Sequence, residues 1–122
     1  MAENKKENLI LDRSFKFSLK IIEHYKVMVK QKEYVISKQV LKCGTSIGAN
    51  VNEAQAAQSR KDFISKMAIA SKEAQETKYW LYLILRSKLV VNSDGLLNAL
   101  LKDVEDIINV LTKIVKTSSG RI

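Results

Sequence analysis

No proline interrupts this 122-residue chain, and it contains only four glycines. Proline removes an amide donor and clashes with the preceding helical turn, so its absence lets long helices run without a forced break. Four successive stretches then repeat apolar residues every three or four positions, the period of one helix face. In the first, residues 12–32, Phe15, Phe17, Ser18, Ile21, Ile22, Tyr25, Met28 and Val29 fall to one side. In the second, 34–58, the stripe is Ile36, Val40, Cys43, Ile47, Val51 and Ala54. The third, 60–89, reads Phe63, Met67, Ala70, Ala74, Thr77, Leu81 and Ile84. The fourth, 94–116, reads Leu97, Leu101, Val104, Ile108, Leu111 and Val115. Four amphipathic helices joined by short turns pack as neighbours. The expected fold is all-α, an antiparallel up-down four-helix bundle over residues 12–116, with a flexible N-terminal tail (1–11) and a C-terminal tail (117–122). Its expected core is Ile22, Val40, Ile47, Val51, Met67, Ala70, Ala74, Leu81, Val104, Ile108 and Leu111.

Local signals support these boundaries. Ser59 followed by Asp62 resembles a capping box opening the third helix, and Asn92, Ser93 and Asp94 offer N-caps for the fourth. Gly44 and Gly48 cost helix propensity inside the second stripe, which predicts the close approach of another helix there. From Tyr79 to Leu85 the third helix is apolar all round. One bundle core cannot cover every side of a helix, so a second contact is expected at this girdle.

A hydrophobic content of 46% suffices for one core in a chain of this length. The start has a basic stretch without the apolar run and small-residue cleavage site of a signal peptide, and no apolar run approaches the length of a membrane span. Cys43 is the sole cysteine, which excludes an internal disulfide and reads as a small buried apolar residue. A cytoplasmic protein is expected. The net charge of +8 is unevenly spread: eight basic residues against five acidic in 1–33, two against one in 34–59, seven against three in 60–90, and four against four in 91–122. A basic excess of this kind attracts polyanions without naming one.

Catalytic chemistry finds no support. Di-iron sites in bundles need a Glu-x-x-His pair on each of two helices, and His24 is the only histidine. Glu53, Glu73 and Glu76 could be read as a carboxylate cluster, yet Lys72 and Lys78 beside them favour solvated faces or interhelix ion pairs. No glycine-rich phosphate loop, metal-ligand spacing or Ser/His/Asp set occurs. The expectation is a non-enzyme with no cofactor and no metal.

The segments SIGANVNEA (Ser46 to Ala54), SRKDFISKM (Ser59 to Met67) and ASKEAQETKYWL (Ala70 to Leu81) resemble the bacterial four-helix-bundle family of 23S rRNA intervening-sequence proteins. The resemblance spans residues 12 to 116. More distantly, the chain is similar to accessory variability proteins of diversity-generating retroelements, basic homopentameric bundles that bind nucleic acid and a reverse transcriptase. The resemblance implies a homo-oligomer, in the form of a pentamer. Asn50, Glu53, Lys72, Glu73, Glu76 and Trp80 in these motifs read as polar and aromatic contacts between helices or between subunits.

Two functions compete. In the first, the oligomer binds RNA or DNA without sequence preference, with Arg13, Lys16, Lys20, Lys26, Lys30, Arg60 and Lys61 meeting phosphates. In the second, the assembly is a scaffold that recruits a protein such as a reverse transcriptase, and its charge serves solubility.

Overall fold

The computed structural model describes residues 5–120 and contains four helices: α1 (Lys5–Lys30), α2 (Ile36–Ala54), α3 (Arg60–Ser87) and α4 (Asp94–Ser118). No strand occurs among the described residues. α1 packs on α2 and α4, and α3 packs on the same two, while the Cα atoms of neither diagonal pair come within 8 Å of each other. The four helices therefore close a ring around one core, a bundle.

α2 and α3 follow their sequence stripes. Val40, Cys43, Ile47, Val51 and Ala54 are buried on α2, and Met67, Ala70, Ala74, Thr77, Leu81 and Ile84 on α3, with Ile36 and Phe63 half-buried at the ends. On α4, Leu97, Val104, Ile108 and Leu111 are buried as expected, but so are Leu100, Ile107 and Ile114. A helix wedged between two neighbours buries a band wider than a single four-three seam.

α1 differs most from its sequence reading. It begins at Lys5, so residues 5–11 of the expected tail are helical; residues 1–4 lie outside the described part, as do 121 and 122 of the C-terminal tail. Its buried stripe is Ile10, Ser14, Phe17, Ile21, His24 and Met28. Ile22, expected in the core, is 38% exposed, and Phe15 is 63% exposed. Two polar residues occupy core positions on this helix, and averaging over apolar residues alone rotates the inferred face toward Phe15 and Ile22.

Both α2 glycines sit under α1. A Cβ at Gly44 would lie 2.9 Å from Ile21 Cγ1, and one at Gly48 would lie 3.2 Å from the Ser14 carbonyl oxygen and from Ser18 Oγ. The close approach expected at these positions is made within the bundle.

The helix ends are fixed by several devices. Ser59 Oγ accepts the Asp62 amide at 3.0 Å, as the capping pattern predicts, while Asp62 Oδ2 accepts the Gln58 amide at 3.2 Å. Ser93 occupies the N-cap position of α4 but makes no side-chain cap bond. α2 is capped from Glu33, whose carboxylate accepts the amides of Val35 (3.1 Å), Ile36 (3.0 Å) and Ser37 (2.7 Å). A negative charge there also opposes the positive end of the helix dipole. Gln31 joins the end of α1 to the α3–α4 connection: its Nε2 donates to the Val91 carbonyl and the Val91 amide donates to its Oε1, both at 2.9 Å.

Candidate nucleic-acid interface

The basic residues of α1 divide by helical rotation. Arg13, Lys16 and Lys20 recur at intervals of three and four, which places them on one side of the helix. They line a cleft of about 230 Å³ against α4, whose other walls are Phe17, Asp103, Asp106 and Ile107. α4 also supplies negative charge, because Lys20 Nζ lies 2.8 Å from Asp103 Oδ2. Lys16 pairs with Asp12 of its own helix at 3.1 Å. Both pairs are solvent-exposed, and such pairs are worth about 0–1 kcal/mol, so a phosphate competes for either lysine at small cost.

The other four residues of the expected set lie elsewhere. Lys26 and Lys30 are exposed on the last turns of α1. Arg60 and Lys61 open α3, where Arg60 borders a shallow depression with Glu7, Gln55, Ser59 and Phe63. The structure thus gathers Arg13, Lys16 and Lys20 into one cleft and leaves the remaining cations dispersed over the surface. Among the described residues, Arg13, Lys26, Lys30, Arg60 and Lys61 have no carboxylate within ion-pair distance. Sequence reading missed Asp103 and Asp106, which dilute the cleft's positive potential. Their three-residue spacing on the flank of the α4 stripe was visible, but not which helix they would face.

The polar motif residues on α2 and α3 are mostly engaged within the molecule. Asn50 Nδ2 donates to the Ser46 carbonyl (2.9 Å) and to Ser46 Oγ (3.1 Å) within α2. Glu53 reaches across to Lys66 of α3 at 3.1 Å, an interhelix ion pair. Trp80 Nε1 donates to Glu76 Oε2 at 3.1 Å, and the Trp80 ring meets Tyr79 edge-on with centroids 5.4 Å apart. Glu73 is half-buried and Lys72 exposed. Burial pushes the Cys43 thiol up to about 11, and the nearby Glu76 and Glu73 carboxylates add to the effect. A thiol held in that range stays protonated and unreactive at neutral pH.

His24 is fully buried, and neither ring nitrogen has a hydrogen-bond partner among the described residues. Burial alone lowers its pKa below the ordinary 6.5, so it sits in the core as neutral imidazole. No group of three or more His, Cys, Asp or Glu suited to a metal ion occurs among the described residues. No helix among them is long and apolar enough to cross a membrane.

Residues 6–113 match the family model described as 23S rRNA-intervening sequence protein. A crystal structure at 1.70 Å resolution of a protein of unknown function, from the S23 ribosomal protein family of Bacteroides thetaiotaomicron VPI-5482, is 46% identical to the chain. It superposes with a TM-score of 0.84, over 91% of this chain and 98% of that one. Comparison with curated proteins gives no match. With the family match spanning nearly all four helices, the chain belongs to the 23S rRNA-intervening sequence protein family.

Proposed function

We propose that the protein is a non-catalytic, cytoplasmic, basic homo-oligomer, a pentamer of antiparallel bundles, that binds RNA or DNA by phosphate contacts with little sequence preference. The observation that carries this reading is that exposed cations, Arg13, Lys26, Lys30, Arg60 and Lys61 among them, have no carboxylate within ion-pair distance among the described residues, beside the weakly paired Lys16 and Lys20. Cations dispersed over helix faces suit the sequence-independent electrostatic component of nucleic-acid binding, since base readout needs a rigid element fitted to a groove. Assembly multiplies a protomer charge of +8 into a larger field. The antiparallel arrangement draws support from the paired hydrogen bonds between Gln31, past the end of α1, and Val91, just before α4.

A scaffold reading, in which the assembly recruits a protein such as a reverse transcriptase, draws on a different observation. Asp12, Asp103 and Asp106 interleave with the α1 cations and weaken the local potential.

Anisotropy titrations of a generic duplex and a single strand across salt concentrations separate the two. Phosphate binding predicts that log K falls linearly with log salt, with a slope near −0.9 per neutralised phosphate on duplex DNA. Replacing Lys16, Lys20 and Lys30 together by alanine should weaken every sequence about equally and flatten that slope, without loss of helicity. Absence of binding at low salt would leave the scaffold reading standing.

A further inference from the structure

Two apolar faces remain exposed on different sides of the bundle. One is a groove of about 830 Å³ between α1 and α2, walled by Leu11, Phe15 and Ile22 and floored by the small residues Ser18, Gly48 and Ala49. Leu19, next to it on α1, is 54% exposed. The other is a ridge along the outer side of α3, with Ile69, Tyr79, Tyr82 and Leu83 exposed by 39–61%. A small-residue floor accepts the close approach of large side chains, and the ridge is built of large side chains.

One molecule cannot close its own groove with its own ridge, because the ridge lies on the outward side of α3, diagonally across the bundle from α1. We propose that the α1–α2 groove of one copy receives the α3 ridge of a second copy, a head-to-tail contact that propagates around a ring; this rests on the homo-oligomeric part of the function proposed above.

Charge is compatible with that occupant. Asp12, paired with Lys16 at 3.1 Å, lies in the groove, and the exposed Lys72, Glu76 and Arg86 lie among the ridge residues, with Arg86 stacked on the Tyr82 ring, 5.6 Å from its centroid, and donating to the Tyr82 hydroxyl at 2.8 Å. Groove against groove would set Asp12 near its own copy and leave α3 uncovered. Area points the same way. Side chains of this size and exposure present roughly 350 Å² on each face. Pairing the faces then removes roughly 700 Å² of apolar surface, which at the usual apolar share corresponds to a contact of roughly 1,200 Å², the range where stable specific interfaces begin. Joining two different patches is a heterologous interface, which closes into a ring or continues as a filament, whereas a two-fold dimer must match one patch to itself.

The two faces can be disabled separately. Phe15→Glu/Leu19→Glu alters only the groove side and Tyr79→Glu/Leu83→Glu only the ridge. Native mass spectrometry should find the wild type at a multiple of 13.8 kDa and each variant alone at 13.8 kDa. Mixing the variants leaves one intact groove and one intact ridge, so a 1:1 dimer and nothing larger should form. Circular dichroism checks that helix content is unchanged, and Phe15→Ser with Leu83→Ser repeats the mixing should either acidic pair reduce it. A monomeric wild type would overturn the homo-oligomer reading itself. Wild-type mass retained by either variant, or a mixture without the 1:1 dimer, would overturn this pairing alone.

Discussion

Gly44 gives the sharpest test of how α1 and α2 are packed. Replacing a mid-helix glycine by alanine ordinarily stabilises by about 1 kcal/mol through helix propensity. At Gly44 the added Cβ would lie 2.9 Å from Cγ1 and 3.0 Å from both Cδ1 and Cγ2 of Ile21, which is fully buried. Cγ1 and Cγ2 are bonded directly to Cβ of a β-branched residue, so no distal rotation relieves the clash. Ile21 must leave its rotamer or α1 must move away from α2, and overpacking of that kind costs about 1–3 kcal/mol. The net effect of Gly44→Ala should therefore be a destabilisation of up to about 2 kcal/mol once the gain in helix propensity is subtracted.

Urea denaturation followed by circular dichroism, on a double-mutant cycle with Ile21→Ala, isolates the cause. Removing the Ile21 branches takes away all three close atoms, so in that background Gly44→Ala should turn neutral or stabilising. Gly95 serves as a control, because nothing lies within 4 Å of its would-be Cβ and alanine there should not destabilise. A rise in stability from Gly44→Ala alone, or an equal cost with and without Ile21, would refute the argument.

Two further outcomes follow from single residues. His24 is neutral in the fold with its pKa below 6.5, so the unfolded chain binds the proton more readily; stability is fully present above about pH 6.5 and is lost as pH falls, at up to about 1.4 kcal/mol per pH unit. Urea midpoints between pH 7.5 and 5.5 should fall for the wild type and stay flat for His24→Leu, and equal slopes would sink the assignment. Glu33→Ala removes the acceptor of three α2 amides and should cost about 1 kcal/mol, with an unchanged melting temperature as the contrary result.

The parts of the fold legible in the sequence were those in which core positions and apolar residues coincide. On α2 and α3 they mostly do, Ser37 and Thr77 being the buried polar exceptions, and Val40 to Ala54 and Met67 to Ile84 could be assigned from spacing alone. On α1 they do not, since Ser14 and His24 take core positions while Phe15 and Ile22 face outward. The start of α1 was hidden for a related reason: Asp12 and Ser14 have capping chemistry, yet both lie inside the helix, where Ser14 Oγ donates to the Leu11 carbonyl at 3.3 Å. In the candidate site, the basic side of α1 was legible as a helical face. Its pairing with Asp103 was not, because that depends on which helix lies alongside α1.

The misreading of α1 has a physical source that links the two proposals. A bundle helix normally has one buried face and one solvated face, and a sequence pattern is read against that template. α1 instead has three: the buried stripe from Ile10 to Met28, the cationic side with Arg13, Lys16 and Lys20 toward α4, and the apolar side with Phe15 and Ile22 toward α2. At about 100° per residue the cationic and apolar sides are roughly 130–150° apart around the helix axis. A second copy seated in the α1–α2 groove therefore leaves the α1–α4 cleft with Arg13, Lys16 and Lys20 open to a polyanion, whereas Lys26 and Lys30 lie on the groove side of the helix. In the proposed pairing, the exposed Phe15 and Ile22 that spoil the two-face pattern are the residues a second copy would bury, and counting them as core from a single chain is what placed Ile22 inside.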